Sequence, residues 1–216
     1  MFRRLLLGTG AVALVMGATT AVGMGSASAA PPPVDMSGTV TCQVTGVLHF
    51  ATPLTNGGTA QTAVSLSATL SMCSGAGTTT GGVTVTGGTL STTPVSTIAN
   101  NCGAVLSGSS SLPKFRGAVK WAATGGTATD TKLKLVHSSV YDNLGTGRLV
   151  VGLPTTLKSG SYAQSGTTAA FAGLNSNSPD SKLTSLCAAG GAGLQTIAFG
   201  TPGGVASGTV TFQAGV

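Results

Sequence analysis

Between Thr39 and Phe50 apolar and polar residues alternate: Val40, Cys42, Val44, Gly46, Leu48 and Phe50 share one phase, and Thr39, Thr41, Gln43, Thr45 and His49 share the other, with Val47 the exception. The pattern returns from Thr62 to Met72, where Val64, Leu66, Ala68, Leu70 and Met72 oppose Ser65, Ser67, Thr69 and Ser71. Successive side chains of a strand point to opposite faces, so a period of two gives each segment one dry face and one wet face. Pro53 and Asn56-Gly57-Gly58 lie between the two segments and supply turn residues. The pair reads as a β-hairpin.

Shorter segments of the same kind follow at Val83–Thr86, Val95–Ile98, Phe115–Trp121, Lys132–Tyr141, Arg148–Leu153, Ala169–Leu174, Thr196–Phe199 and Gly208–Gln213, most of them separated by glycine-rich breaks. Many short strands with turns between them, rich in β-branched Thr and Val, predict an all-β fold. The expected architecture is an antiparallel β-sandwich, Ig-like or jelly-roll-like, of about 8–10 strands. Only one stretch predicts a helix, within residues 179–189. Ser178 offers an N-cap, Pro179 a first helical residue and Asp180 an early acid; Leu183, Leu186 and Cys187 share a face before Gly190-Gly191 ends it. The pentapeptide Ser37-Gly38-Thr39-Val40-Thr41 recurs as Ser207-Gly208-Thr209-Val210-Thr211, which in so Gly-, Ser- and Thr-rich a chain reads as coincidence rather than duplication.

The N-terminus has a different pattern. Arg3 and Arg4 precede an apolar run from Leu5 to Met16, and small residues then lead to Ala27-Ser28-Ala29. This is the layout of a secretory signal peptide with cleavage expected after Ala29. The apolar run is too short to span a bilayer, and no transmembrane segment is expected in the mature chain. The expected organisation is a signal peptide over 1–29, a Pro-rich leader over 30–35 containing Pro31-Pro32-Pro33, and one domain over 36–216. All four cysteines, Cys42, Cys73, Cys102 and Cys187, lie in the exported part, where an even count reads as two disulfides. The hairpin brings Cys42 to the same end of its ladder as Cys73, which favours Cys42–Cys73 and Cys102–Cys187. With the loop at Asn56–Gly58, Cys42 falls opposite Met72, so a bulge must correct the phase by one residue.

The titratable inventory is small. The chain has 216 residues, only 6% of them charged, and its four acids are all aspartates. Loss of Arg3 and Arg4 lowers the formal charge from +6 to +4, too sparse for nucleic-acid binding through many phosphate contacts. No catalytic residue, cofactor or metal site is expected. The G-x-S-x-G elbow is absent, the cysteines have no C-x-x-C spacing, and the Gly75-Ala76-Gly77 and Gly191-Ala192-Gly193 runs lack the remaining signature of a phosphate cradle. His49 lies in a polar phase and His137 in the phase of Leu133 and Leu135; a Ser paired with His137 would be the basis of an alternative reading as a secreted hydrolase. Trp121 lies in an apolar phase and reads as core. One charge feature stands out: Lys114, Arg116, Lys120, Lys132 and Lys134 cluster in two neighbouring strands. If these pair through the turn at 124–130, Lys120 is expected opposite Lys134. Such a face suits contact with anionic envelope polymers or lipid head groups, or it blocks sheet-to-sheet aggregation.

The signal, the G-T-V-T-C opening at Gly38–Cys42, the P-L-T turn at Pro53–Thr55, Cys73 closing the second strand and a late Cys187 before an apolar strand together resemble the small Gly/Thr/Ser-rich exported β-proteins of actinobacteria. That family has no established activity, so the resemblance implies export and an all-β fold and transfers no site residue. The expectation is a secreted or cell-envelope module without enzymatic activity, with a membrane-associated β-barrel as a second alternative.

Overall fold

The computed structural model describes residues 29–94, 97–107, 112, 114–136, 138–143, 147–163, 168–200 and 208–213. Along the chain these form β1 (Thr39–Leu54), β2 (Gln61–Ser74), β3 (Thr79–Thr80), β4 (Val83–Thr93), β5 (Thr97–Ala99), α1 (Cys102–Leu106), β6 (Phe115–Thr124), β7 (Thr131–Leu135), β8 (Ser139–Asn143), β9 (Arg148–Gly152), β10 (Thr155–Ser159), β11 (Thr168–Ala172), α2 (Asp180–Cys187), β12 (Leu194–Phe199) and β13 (Gly208–Gln213). Residues Pro31–Val216 make one compact unit. The expected signal peptide falls almost wholly on residues 1–28, outside the described residues.

The β1–β2 hairpin has the register that its loop dictates, from Phe50 opposite Val64 to Gln43 opposite Ser71. The phase error at Cys42 is resolved by a bulge. The register slips by one residue before Thr41 meets Ser74, Met72 takes φ +49°, and its side chain is thrown out into solvent. Cys73 thereby turns inward and bonds Cys42. The second disulfide is Cys102–Cys187.

The chain is all-β, but the expected sandwich is overturned. β1, β2, β4, β6, β7, β10, β11 and β13 each pair with the next, and β13 returns to β1, closing an eight-stranded up-and-down barrel. Alternation marks which face is dry, and a sandwich and a barrel satisfy it equally. Closure depends on a pairing between the two ends of the domain. At that seam Thr41 sits opposite Thr211 with their hydroxyls 2.9 Å apart, so the two pentapeptide copies meet only at their last residues, and Gly208–Val210 lie opposite Val44–Cys42. Tight curvature comes from bulges in β2 and β4 and from glycine in the inward phase. A Cβ on Gly46 would stand 2.6 Å from the Phe199 ring and 2.7 Å from the Ser67 carbonyl; one on Gly117 would stand 2.6 Å from the Ser91 carbonyl.

Inward residues fill the barrel: Val40, Val44 and Leu48 of β1, Leu66 and Leu70 of β2, Leu90, Phe115, Val119, Leu133, Leu157, Val210 and Phe212 are all buried. An eight-stranded barrel has room for such a filling and little else. The strand directions put every long connection at one rim. There β5 and α1, the β8–β9 hairpin, and α2 with β12 are knitted over the barrel mouth by backbone bonds and by Cys102–Cys187. β12 continues the edge of β1 beyond β13, and β5 continues the edge of β2 beyond β4.

The opposite rim has the short turns and the N-terminal segment. Val34, in the expected Pro-rich leader, bridges Ala128, and Met36 is buried with its N–H donating to Ser161 Oγ. Tyr162 completes this plug. Its hydroxyl donates to the Gly77 carbonyl at 2.9 Å, and Trp121 packs edge-on against both Tyr162 and Phe212. Trp121 is thus half-buried rather than deep core, its indole N–H donating to Thr131 Oγ1.

Thirteen strands among the described residues exceed the expected count. β3 is only two residues long, β10 has Leu157 as its one large apolar residue, and the segment expected as one strand over Lys132–Tyr141 is divided into β7 and β8. The expected helix is α2, though its cap is Pro179 rather than Ser178. α1 is a second, unexpected helix of five residues, begun by Asn101, whose side chain accepts from the Ala104 N–H.

Candidate functional site

The barrel turns its basic residues and most of its hydroxyl residues outward. In β6 the inward residues are Phe115, Gly117 and Val119, so Arg116, Ala118 and Lys120 face out; in β7, Thr131, Leu133 and Leu135 point in and Lys132 and Lys134 point out. The two strands pair with Arg116 opposite Lys134 and Ala118 opposite Lys132. The expected pairing of Lys120 with Lys134 is therefore wrong by four residues: the turn is longer than assumed, because the ladder begins only at Val119–Thr131. The like-charge pair exists, but its members are Arg116 and Lys134.

On the far side of β7, β10 adds Lys158, which the residue pattern does not single out. Thr156 lies opposite Lys134 and Ser159 opposite Lys132, with a register shift between Leu157 and Ser159. Arg116, Lys132, Lys134 and Lys158 thus converge from three adjacent strands on a recess of about 390 Å³, also lined by Gly117 and Leu133. Among the described residues no carboxylate pairs with any of the four. Gly117 and Leu133 turn inward and present only backbone between the cations, which therefore stand around a depression rather than on a flat wall. Of the remaining basic residues expected on this face, Lys114 is exposed just before β6, and Lys120 borders a separate recess of about 520 Å³ beside Trp121.

No other candidate assembles among the described residues. His49 is exposed on β1 between Ser65 and Thr196. His137, and with it the Ser–His137 arrangement, lies outside the described residues. Among the described residues no three or more His, Cys, Asp or Glu side chains converge as metal ligands. No helix among them is long and apolar enough to cross a membrane. The outward phase is also unlike that of a membrane-spanning barrel, which needs an apolar belt outside and a polar lumen. Here Thr, Ser and Lys face out, the lumen is apolar, and Met72 is the one large hydrophobic residue exposed among the described residues. All four cysteines are paired, as suits an oxidising, extracellular setting. No family model matches the chain, and no curated protein or solved structure matches it.

Proposed function

We propose that the chain is an exported, non-enzymatic binding module that holds an anionic polymer of the cell envelope against the basic wall of its barrel. The observation that carries this reading is the convergence of Arg116, Lys132, Lys134 and Lys158 on one recess with no acidic partner among the described residues. Like charges placed opposite one another on a ladder destabilise it. A polyanion in the recess relieves that repulsion, whereas an isolated protein bears it. Arg116 adds a planar fork suited to phosphate or carboxylate oxygens, and the lysines add point charges.

A polymer fits this wall better than a membrane surface. Stable attachment to lipid combines basic residues with apolar side chains that enter the headgroup layer. The wall around the recess carries Thr156, Thr93 and Ser91 instead. The test is retention of the mature protein on envelope fractions at low ionic strength. The wild-type protein is expected to be retained and to be released by salt. A variant carrying Arg116→Ser, Lys132→Ser, Lys134→Ser and Lys158→Ser is expected in the unbound fraction. Equal retention of the two proteins would overturn the proposal.

A further inference from the structure

We infer that the wall takes its ligand as an extended chain: the recess at Arg116 holds one charged group, Lys120 holds a second, and a hydroxyl-lined track between them carries the uncharged part of the repeat. This rests on the reading of the basic wall as a binding surface and specifies what that surface recognises. The outward residues of β6 run Arg116, Ala118, Lys120. At a rise of about 3.4 Å per residue, the two cations stand ~13–14 Å apart along the strand, with only the methyl group of Ala118 between them. β4 runs alongside and places Thr93 opposite Arg116, Ser91 opposite Ala118 and Thr89 opposite Lys120. A row of hydroxyls therefore parallels the row of cations.

The surface relief follows the same line. A second recess of about 310 Å³, lined by Ser91, Thr92 and Thr93, shares Arg116, Gly117 and Lys132 with the four-cation recess. A third, of about 470 Å³, contains Ser91 and Thr89, and through Thr89 it meets the recess that Lys120 borders. Neighbouring recesses thus share lining residues all the way from the one that Lys158 borders to the one that Lys120 borders. The hydroxyls along this line donate and accept hydrogen bonds, and the outward residues of β4 and β6 between Arg116 and Lys120 include no aromatic side chain. The matching ligand is a linear polyanion whose charged groups ride on a hydroxylated chain, either a phosphodiester-linked polyol or a polymer of uronic acids. Once one charge is seated, the second binds as an intramolecular event, so affinity rises when the chain is long enough to reach it.

The test titrates the mature protein with glycerol phosphate, with short and long poly(glycerol phosphate), with oligogalacturonates of matched lengths, and with anionic lipid vesicles. Trp121, the single tryptophan, borders the Lys120 recess and supplies a fluorescence signal alongside calorimetry. In at least one polymer series, chains that span both positions are expected to bind ~10-fold or more tightly than the monomer. Lys120→Ser is expected to remove that gain, while Arg116→Ser with Lys134→Ser weakens monomer and polymer alike. Polymer binding with a length dependence untouched by Lys120→Ser would overturn the two-position track and leave the proposed function standing. Binding to vesicles alone, or to no anion of any length, would overturn both.

Discussion

Tyr162 concentrates several constraints in one side chain. It is fully buried at the rim plugged by Met36, takes φ +60°, donates its hydroxyl to Gly77 and meets Trp121 edge-on at 5.0 Å. Burial disfavours the phenolate and pushes the group up from 10.0 to about 12. The phenol stays protonated in the folded state over a range in which the unfolded chain has already released its proton. Its contribution is therefore complete below pH 10 and is lost as pH rises from 10 towards 12. A difference of about two units amounts to roughly 2–3 kcal/mol. Urea unfolding across this range is expected to show the wild-type protein losing that much more stability than Tyr162→Phe. The variant starts about 1 kcal/mol lower near neutrality because the Gly77 carbonyl loses its donor. Parallel curves would show that the ring is not held as described. Tyr162 has no signature in the sequence: it stands in the run Gly160-Ser161-Tyr162-Ala163, with no alternation to mark it as inward. Lys158 is hidden for a related reason, since only Leu157 among its neighbours in β10 is a large apolar residue.

Among the elements, the β1–β2 hairpin is the most legible in the sequence because its register is local. Loop length and side-chain phase together fix the pairing, and the residues alone suffice to reveal the one-residue conflict at Cys42. The solution places Met72 in the left-handed region, at a cost of about 1–2 kcal/mol for a residue with a Cβ. Met72→Gly removes that cost but gives the unfolded chain more freedom, so a net gain of ~0.5–1 kcal/mol is expected in the urea midpoint with the disulfide intact. A loss would mean that the exposed Met72 side chain contributes contacts of its own. β4 is legible only up to Thr86, because the bulge before Gly87 resets the phase and brings Leu90 inward out of step. The helix–turn insertions depend on a different link. Cys102–Cys187 ties α1 to α2 across 85 residues, and chain entropy alone assigns it about 4.6 kcal/mol, against about 3.7 kcal/mol for Cys42–Cys73 across 31. Replacing Cys102 and Cys187 by Ala is expected to raise amide exchange in α1, α2 and the β8–β9 hairpin while β6 and β7 keep their protection. Uniform loss of protection would show that the insertions and the barrel unfold as one unit.

For the whole molecule the decisive contact is the one farthest apart in sequence. Period-two patterning is enough to establish an all-β chain with an apolar interior, yet it does not choose between two open sheets and one closed one. That choice lies in the pairing of β13 with β1 across some 170 residues, and in the inward glycines that let the wall bend. Gly46 and Gly117 are visible in the apolar phase, and glycine at core positions of a strand is itself a sign of curvature. The basic wall depends on strand order rather than on closure, since Lys158 joins Arg116 because β10 lies beside β7 and β7 beside β6. Ending the chain before Gly208 tests the architecture directly. In a barrel, losing β13 bares the facing edges of β1 and β11 at once, and unpaired edges recruit other chains. The truncated protein is expected to self-associate, to bind an amyloid-reporting dye and to lose its single cooperative unfolding transition. A synthetic peptide spanning 208–213, added during refolding, is expected to restore soluble monomer by refilling the gap. In a sandwich β13 would be a peripheral strand, and its removal would leave a soluble, cooperatively folded protein with somewhat lower stability.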